Sequence, residues 1–297
     1  MADRIPLPEE ARAPENPAGP DDGIHHLAPD LAYARLMIVN VAFLGLPDSG
    51  DRGWVLVDAG LPGTKGTIRE AAARRFGSTA RPAAILLTHG HFDHVGVLED
   101  LAEEWDVPVY AHPLEKPYLD GSAAYPPPAP EVGGGLMARL SPLFPRKPLD
   151  LGARLHMLPQ DGTLPFAPGW RWLHTPGHSV GHVSFWREAD RSLVAGDAVV
   201  TTRQESAYAA VAQTPELHGP PAYFTVDWEA AAQSARQLST LEPETMVAGH
   251  GRAMAGPALR SALHELAANF ERLGMPERTR YAEAPARAED GSAYPKP

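Results

Sequence analysis

The segment Thr88-His89-Gly90-His91-Phe92-Asp93-His94 puts three imidazoles and a carboxylate within six residues. Neutral imidazole and carboxylate are good ligands for Zn²⁺ and similar borderline cations. The small Gly90 permits a tight turn and close approach of the chain to an ion. A lone histidine is more often a surface or packing residue, but three further polar residues recur in the same kind of setting. His178 follows Pro176-Gly177, Asp197 follows Gly196, and His250 follows Gly249, each just after a short apolar run. The chemistry suggested is attack by an activated water, because metal coordination lowers the pKa of water to about 7 and polarises a carbonyl oxygen. Asp93 and Asp197 are the candidate catalytic carboxylates, Asp93 as a group that orients the hydroxide. No protein nucleophile is needed, in keeping with the lack of cysteine and of a Gly-x-Ser-x-Gly elbow.

These residues have to be positioned by the elements around them. Apolar runs at Arg35–Leu46 and Trp54–Asp58, separated by Pro47-Asp48-Ser49-Gly50, read as a hairpin. Ala83–Leu87, Val107–Ala111, Trp170–His174, His182–Trp186, Leu193–Ala195 and Met246–Ala248 read as short buried strands, and Thr64–Phe76, Val95–Trp105, Asp227–Leu241 and Pro257–Leu273 as helices. Asp227 suits an N-cap. Strands followed by helices occur once in each half of the chain. That order predicts two α/β halves packed sheet against sheet with helices outside. Residues 1–30 carry six prolines and read as a loose arm, 31–273 as one domain, and 274–297 as a polar tail. Residues 113–148 hold nine prolines and the triplet Gly133-Gly134-Gly135, and read as an insertion able to act as a lid, with a helical turn at Leu136–Leu140.

The ordered set His89-x-His91-x-Asp93-His94, His178, Asp197 and His250 resembles the dinuclear hydrolase branch of the metallo-β-lactamase fold superfamily, across residues 36 to 252. Val57-Asp58-Ala59-Gly60 is similar to that family's early strand-end motif. The resemblance implies an αβ/βα sandwich of two mixed sheets with the site at one edge. It implies that His89, His91 and His178 hold one metal, that Asp93, His94 and His250 hold the other, and that Asp197 bridges them beside a bridging hydroxide. Asp58 would then accept a hydrogen bond from a ligand histidine and fix its tautomer. Two divalent ions are expected, Zn²⁺ first, with Mn²⁺ or Fe²⁺ as alternatives.

Departures from the family's branches narrow the substrate. Gly249-His250-Gly251-Arg252 differs from the Gly-His-Glu-Tyr type of glyoxalase II, and Val200 stands where acyl-homoserine lactonases often have tyrosine. The expectation is a metal-dependent hydrolase, glyoxalase II- or lactonase-like, acting on a small ester, lactone or thioester. The alternatives are a mononuclear iron persulfide dioxygenase-like oxidoreductase and a phosphodiesterase of the same fold. Tyr208 and Tyr223 are candidate substrate contacts. His174 and His182 read as structural, and His25, His26, His112, His156, His218 and His264 as surface or packing residues. A net charge of −11 disfavours nucleic acid as partner. The longest apolar stretch, Leu36–Leu46, is too short to span a membrane, and the first thirty residues do not resemble a signal peptide, so a cytoplasmic location is expected.

Overall fold

A computed structural model describes residues 5–13, 24–132, 134–212 and 214–297. The larger sheet runs in chain order through β2 (His25–Ala28), β3 (Leu31–Leu36), β4 (Val39–Leu44), β5 (Val55–Val57), β6 (Ala84–Leu86), β7 (Val109–Ala111) and β8 (Leu155–Met157). Its pairing is antiparallel as far as β5 and parallel from β5 to β8. The smaller sheet has the order β14 (Met254–Ala255), β13 (Thr245–Ala248), β11 (Ser192–Gly196), β10 (Val183–Arg187) and β9 (Trp170–His174), with β11 and β13 parallel. Both sheets are mixed, as expected.

Alternation along the strands divides the apolar side chains between two faces. Tyr33, Leu44, Val57 and Leu86 from one sheet meet Val183, Phe185, Val194 and Val247 from the other in a shared core. The outer face of the larger sheet is covered by α1 (Lys65–Phe76) and α2 (Leu98–Trp105), which bury Ile68, Phe76, Leu98 and Leu101. The outer face of the smaller sheet is covered by α6 (Trp228–Thr240) and α7 (Gly256–Ala268). Asp227 caps α6, accepting from the Ala230 N–H at 3.0 Å. Among the described residues, no helix is long and apolar enough to cross a membrane.

Three expectations need correction. Arg35–Leu46 is two strands, not one: the chain reverses at Met37-Ile38, and Leu36 pairs with Val39. Met37 takes the left-handed φ of 61° without the glycine or asparagine that usually marks such a turn. The expected loose arm is packed where it is described. Ile5–Pro6 forms β1, which pairs with β12 (Glu216–Leu217), and Ile5, Leu7 and Ala11 are buried; the other parts of that expectation, residues 1–4 and 14–23, lie outside the described residues. The C-terminal segment buries Tyr281, Ala286 and Ala293, and Tyr281 Oη donates to the Pro127 carbonyl. Few apolar residues are needed to dock an extended segment when they are spaced to reach one existing core.

The insertion is also built in. It carries α3 (Lys116–Leu119) and α4 (Leu136–Leu140), and Tyr118, Tyr125, Ala129 and Val132 join the core beneath α6 and α7.

Beneath α1, Phe76 lies face to face with Trp54, ring centroids 4.3 Å apart, with Trp105 edge-on to Trp54. Phe76→Ala is expected to cost about 3–5 kcal/mol of unfolding free energy in a denaturant titration. A loss below about 1 kcal/mol would mean that this cluster can collapse around the gap.

Candidate metal centre

The C-terminal ends of β5, β6, β9, β11 and β13 lie at one edge of the sandwich, and each leads into part of the cluster. Loops after β5 and β6 deliver Asp58 and the His89–His94 segment, and those after β9, β11 and β13 deliver His178, Asp197 and His250. Three overlapping donor groups result: His89, His91 and His178; His89, His94 and Asp197; and Asp93, His94 and His250. In each group one ligand atom per residue lies within 4.8 Å of the others. All seven side chains are buried.

Outward hydrogen bonds orient the rings. His94 Nδ1 donates to Asp58 Oδ2 at 2.8 Å. Asp58 also accepts from the Thr88 N–H and hydroxyl, both at 2.8 Å. Because that hydroxyl is spent as a donor, it accepts from His89 Nδ1 at 3.1 Å. His250 Nδ1 donates to the Ile38 carbonyl at 2.6 Å, and His178 Nδ1 faces the Thr225 hydroxyl at 3.3 Å. Each bond leaves the Nε2 of its ring directed inward, that of His250 lying 3.1 Å from Asp197 Oδ2. His91 is turned the other way, with its Nδ1 2.9 Å from His178 Nε2. His89 Nε2, His94 Nε2 and Asp197 Oδ1 are buried without any hydrogen-bond partner. Such atoms are costly unless something binds them, so the donor set fits a metal centre.

The electrostatics agree. Burial, reinforced by neighbouring imidazoles, pushes His89 and His91 well below the ordinary histidine range and His178 down to about 4. These rings are neutral lone-pair donors at physiological pH. For His94 and His250 burial acts in the same direction, but Asp197 and its neighbouring carboxylates outweigh it and raise both. Burial raises Asp93; at Asp197 the same penalty is overcome by His250 and His94, which hold its carboxyl well below the usual range.

Tyr223 is buried, and burial beside Asp93 and Glu205 pushes its phenol up, so it stays protonated. Tyr208 does not join it. That side chain is 80% exposed on α5 (Ala207–Ala212), a short helix on the exterior, and takes no part in the cluster. His182 is fully buried beside the cluster, where its Nε2 accepts from the Asp197 N–H at 2.8 Å and so aims that carboxylate. His174 stacks on His112 instead, 4.3 Å away. Sequence reasoning missed Thr88, Thr225, Glu115, Tyr125 and Asn40. Asn40 donates to the Ala248 and Gly251 carbonyls and braces the His250 loop. Its only sequence signal is a polar residue inside an apolar run.

This fold and this donor set define the class of metal-dependent hydrolases. The chain belongs to the metallo-β-lactamase superfamily, whose sequence model matches residues 34–250. It is 49% identical over 245 residues to the probable metallo-hydrolase YflN of Bacillus subtilis (strain 168), covering 82% of this chain and 90% of that protein. The probable metallo-hydrolase YybB of the same organism is 29% identical over 196 residues, with 66% and 74% covered. Among solved structures, a beta-lactamase domain protein from Burkholderia ambifaria shares the fold at a TM-score of 0.57 and 22% identity, covering 88% of this chain and 80% of that one.

Two measurements test the site as described. A methyl group on Gly249 would fall 2.0 Å from Asp197 Oδ1 and 2.8 Å from His94 Cε1. Gly249→Ala is therefore expected to lower bound metal in the purified protein while leaving its circular dichroism unchanged. Wild-type metal content would show that the loop yields freely. The second concerns His182, which burial holds down at about 3. Below its ordinary value of 6.5 the unfolded chain takes up a proton that the folded metal-free chain refuses, so this group's contribution to stability falls as pH drops from 6.5 toward 3. Between pH 7 and 5 the loss is about 2 kcal/mol. His182→Gln should make the metal-free protein's thermal midpoint fall less steeply with pH over that interval, by this one group's share, while His89, His91, His112, His174 and His178 keep theirs. An unchanged slope would contradict the buried neutral state.

Proposed function

We propose that the protein is a dinuclear metallo-hydrolase of small acyl compounds: esters, lactones or thioesters. The observation that carries this reading is the pair of donor triads, His89/His91/His178 and Asp93/His94/His250, with Asp197 between them and inward atoms left unpaired. In this reading the triads would each hold one ion and Asp197 would reach both. When bound, such ions supply a water of lowered pKa and polarise the acyl oxygen. Ligand type favours Zn²⁺, with Mn²⁺ or Fe²⁺ also compatible.

The chain's own residues do the remaining work. Asp93, raised by burial, receives at a carboxylate oxygen the proton released as water adds to the acyl carbon, then returns it to the departing oxygen or sulfur. Tyr223 donates a hydrogen bond to the acyl oxygen from its protonated phenol. Phe92, Phe144 and Phe224 form an aromatic cluster beside His91, whose ring stacks on Phe224 at 4.8 Å; this wall excludes water and receives the apolar part of a substrate. A small neutral or apolar acyl compound also suits a chain of net charge −11 better than a polyanion. The Asp93/His94/His250 triad favours the dinuclear reading over a mononuclear iron oxygenase.

The test joins metal analysis to a substrate panel. Two equivalents of metal per chain and turnover of at least one ester, lactone or thioester are expected, with loss on chelation and recovery on adding Zn²⁺ or Mn²⁺. One iron per chain with oxygen uptake would overturn the proposal. Asp197→Asn removes a charge from both triads. It should weaken metal binding by more than about 100-fold, the upper range for outer-shell partners, and hydrolysis should fall with it. Unchanged activity would exclude the bridging role.

A further inference from the structure

Glu115 is a buried acidic residue outside the seven-residue cluster. It comes from the insertion, at the end of a short turn (Pro113–Glu115), and is completely buried. A carboxylate removed from water needs partners, and three of the four here come from two metal-site loops, the fourth being Tyr125 of the insertion itself. Its Oε2 accepts from the Gly90 N–H at 3.0 Å and from the Tyr125 hydroxyl. Its Oε1 accepts from the Ser179 hydroxyl at 2.7 Å and from the Gly181 N–H at 3.0 Å. Gly90 lies between His89 and His91, and Ser179 directly follows His178. One rigid carboxylate therefore ties together the two loops that carry the first triad. Tyr125 reinforces the tie, since its oxygen also accepts from the Gly90 N–H at 2.8 Å.

The tie is backed from outside. Tyr118 stacks on Tyr125 at 3.8 Å and donates to the Ala293 carbonyl, and Tyr294 donates to the Leu114 carbonyl next to Glu115. Among the described residues, Glu115 makes no hydrogen bond to Asp93, His94 or His250.

We propose that Glu115 is a positioning residue for the three-histidine half of the metal centre, setting the spacing of the His89–His91 and His178 loops and hence the affinity of that half alone. The proposal rests on the dinuclear reading above. Gln at this position keeps the volume but has one acceptor oxygen, so its NH₂ confronts the N–H or O–H donors of one loop. A residue that merely filled space or stabilised the fold would weaken both halves together.

The experiment is titration of metal-stripped full-length protein with Co²⁺, followed by calorimetry and by the visible absorption bands. The binding steps are assigned with His178→Ala and His250→Ala, each of which removes a donor from one triad. In Glu115→Gln the step assigned to His89/His91/His178 should weaken about 10–100-fold, the range for partners of metal ligands. Its bands should shift while the other step stays as in the wild type. Ser179→Ala and Tyr125→Phe each remove one strand of the tie and should weaken the same step by less. Equal weakening of both steps, or wild-type titration, overturns the proposal. If Glu115→Gln fails to fold, the two milder variants decide, and wild-type behaviour in both overturns it. Should the wild-type protein take up a single ion, the dinuclear reading fails; Glu115 is then judged on that ion's affinity, and an unchanged value in the variants overturns its role.

Discussion

Five imidazoles and two carboxylates are crowded together with little exposure to solvent, and some of their inward atoms have no hydrogen-bond partner. Every unpaired buried donor or acceptor costs about 1–3 kcal/mol, so folding alone disfavours this cluster. The rest of the structure can be understood as the means of bearing it. Five strand ends at one edge hold the loops apart and pointing inward. Asp58, Thr88, Thr225 and the Ile38 carbonyl take up the outward nitrogens and select the tautomers. A bound cation reverses the penalty, because it satisfies the same atoms that the apolar surroundings cannot.

The sandwich gives this arrangement stiffness. Tight contacts such as that between Gly249 and the Asp197 carboxylate require a glycine. At Gly196, a φ of 55° combined with His182 and Thr88 close behind leaves no room for a side chain. These positions show why glycine precedes two of the candidate ligands: the backbone has to pass within van der Waals distance of the cluster. The insertion and the C-terminal segment share the core beneath α6 and α7, and the insertion reaches the metal-site loops through Glu115.

Much of the site was legible because its signals are local. Five of the seven cluster residues, His89, His91, His178, Asp197 and His250, stand next to a glycine near the end of an apolar run, Asp93 and His94 follow within the same short segment as His91, and the two-sheet architecture follows from the order of strands and helices. The missed features depend on contacts between residues far apart in sequence. Glu115 is an ordinary acidic residue in a proline-rich stretch until Gly90 and Ser179 fold against it. Asn40 only interrupts an apolar run, and its value lies in reaching Ala248 and Gly251 across the sheets. The turn at Met37 carries no glycine, and the terminal segments dock through a few spaced apolar residues that composition conceals. Tyr208 and Tyr223 were equivalent candidates by sequence, and only packing separates the buried ring from the exposed one.

The most direct test of the central claim is X-ray diffraction from metal-loaded crystals at the absorption edge of the bound element. Two anomalous peaks about 3.5–4 Å apart are expected. One should lie within about 2.0–2.2 Å of nitrogens from His89, His91 and His178, the other within the same range of Asp93, His94 and His250, with Asp197 touching both. A single peak, or peaks away from these side chains, would contradict it.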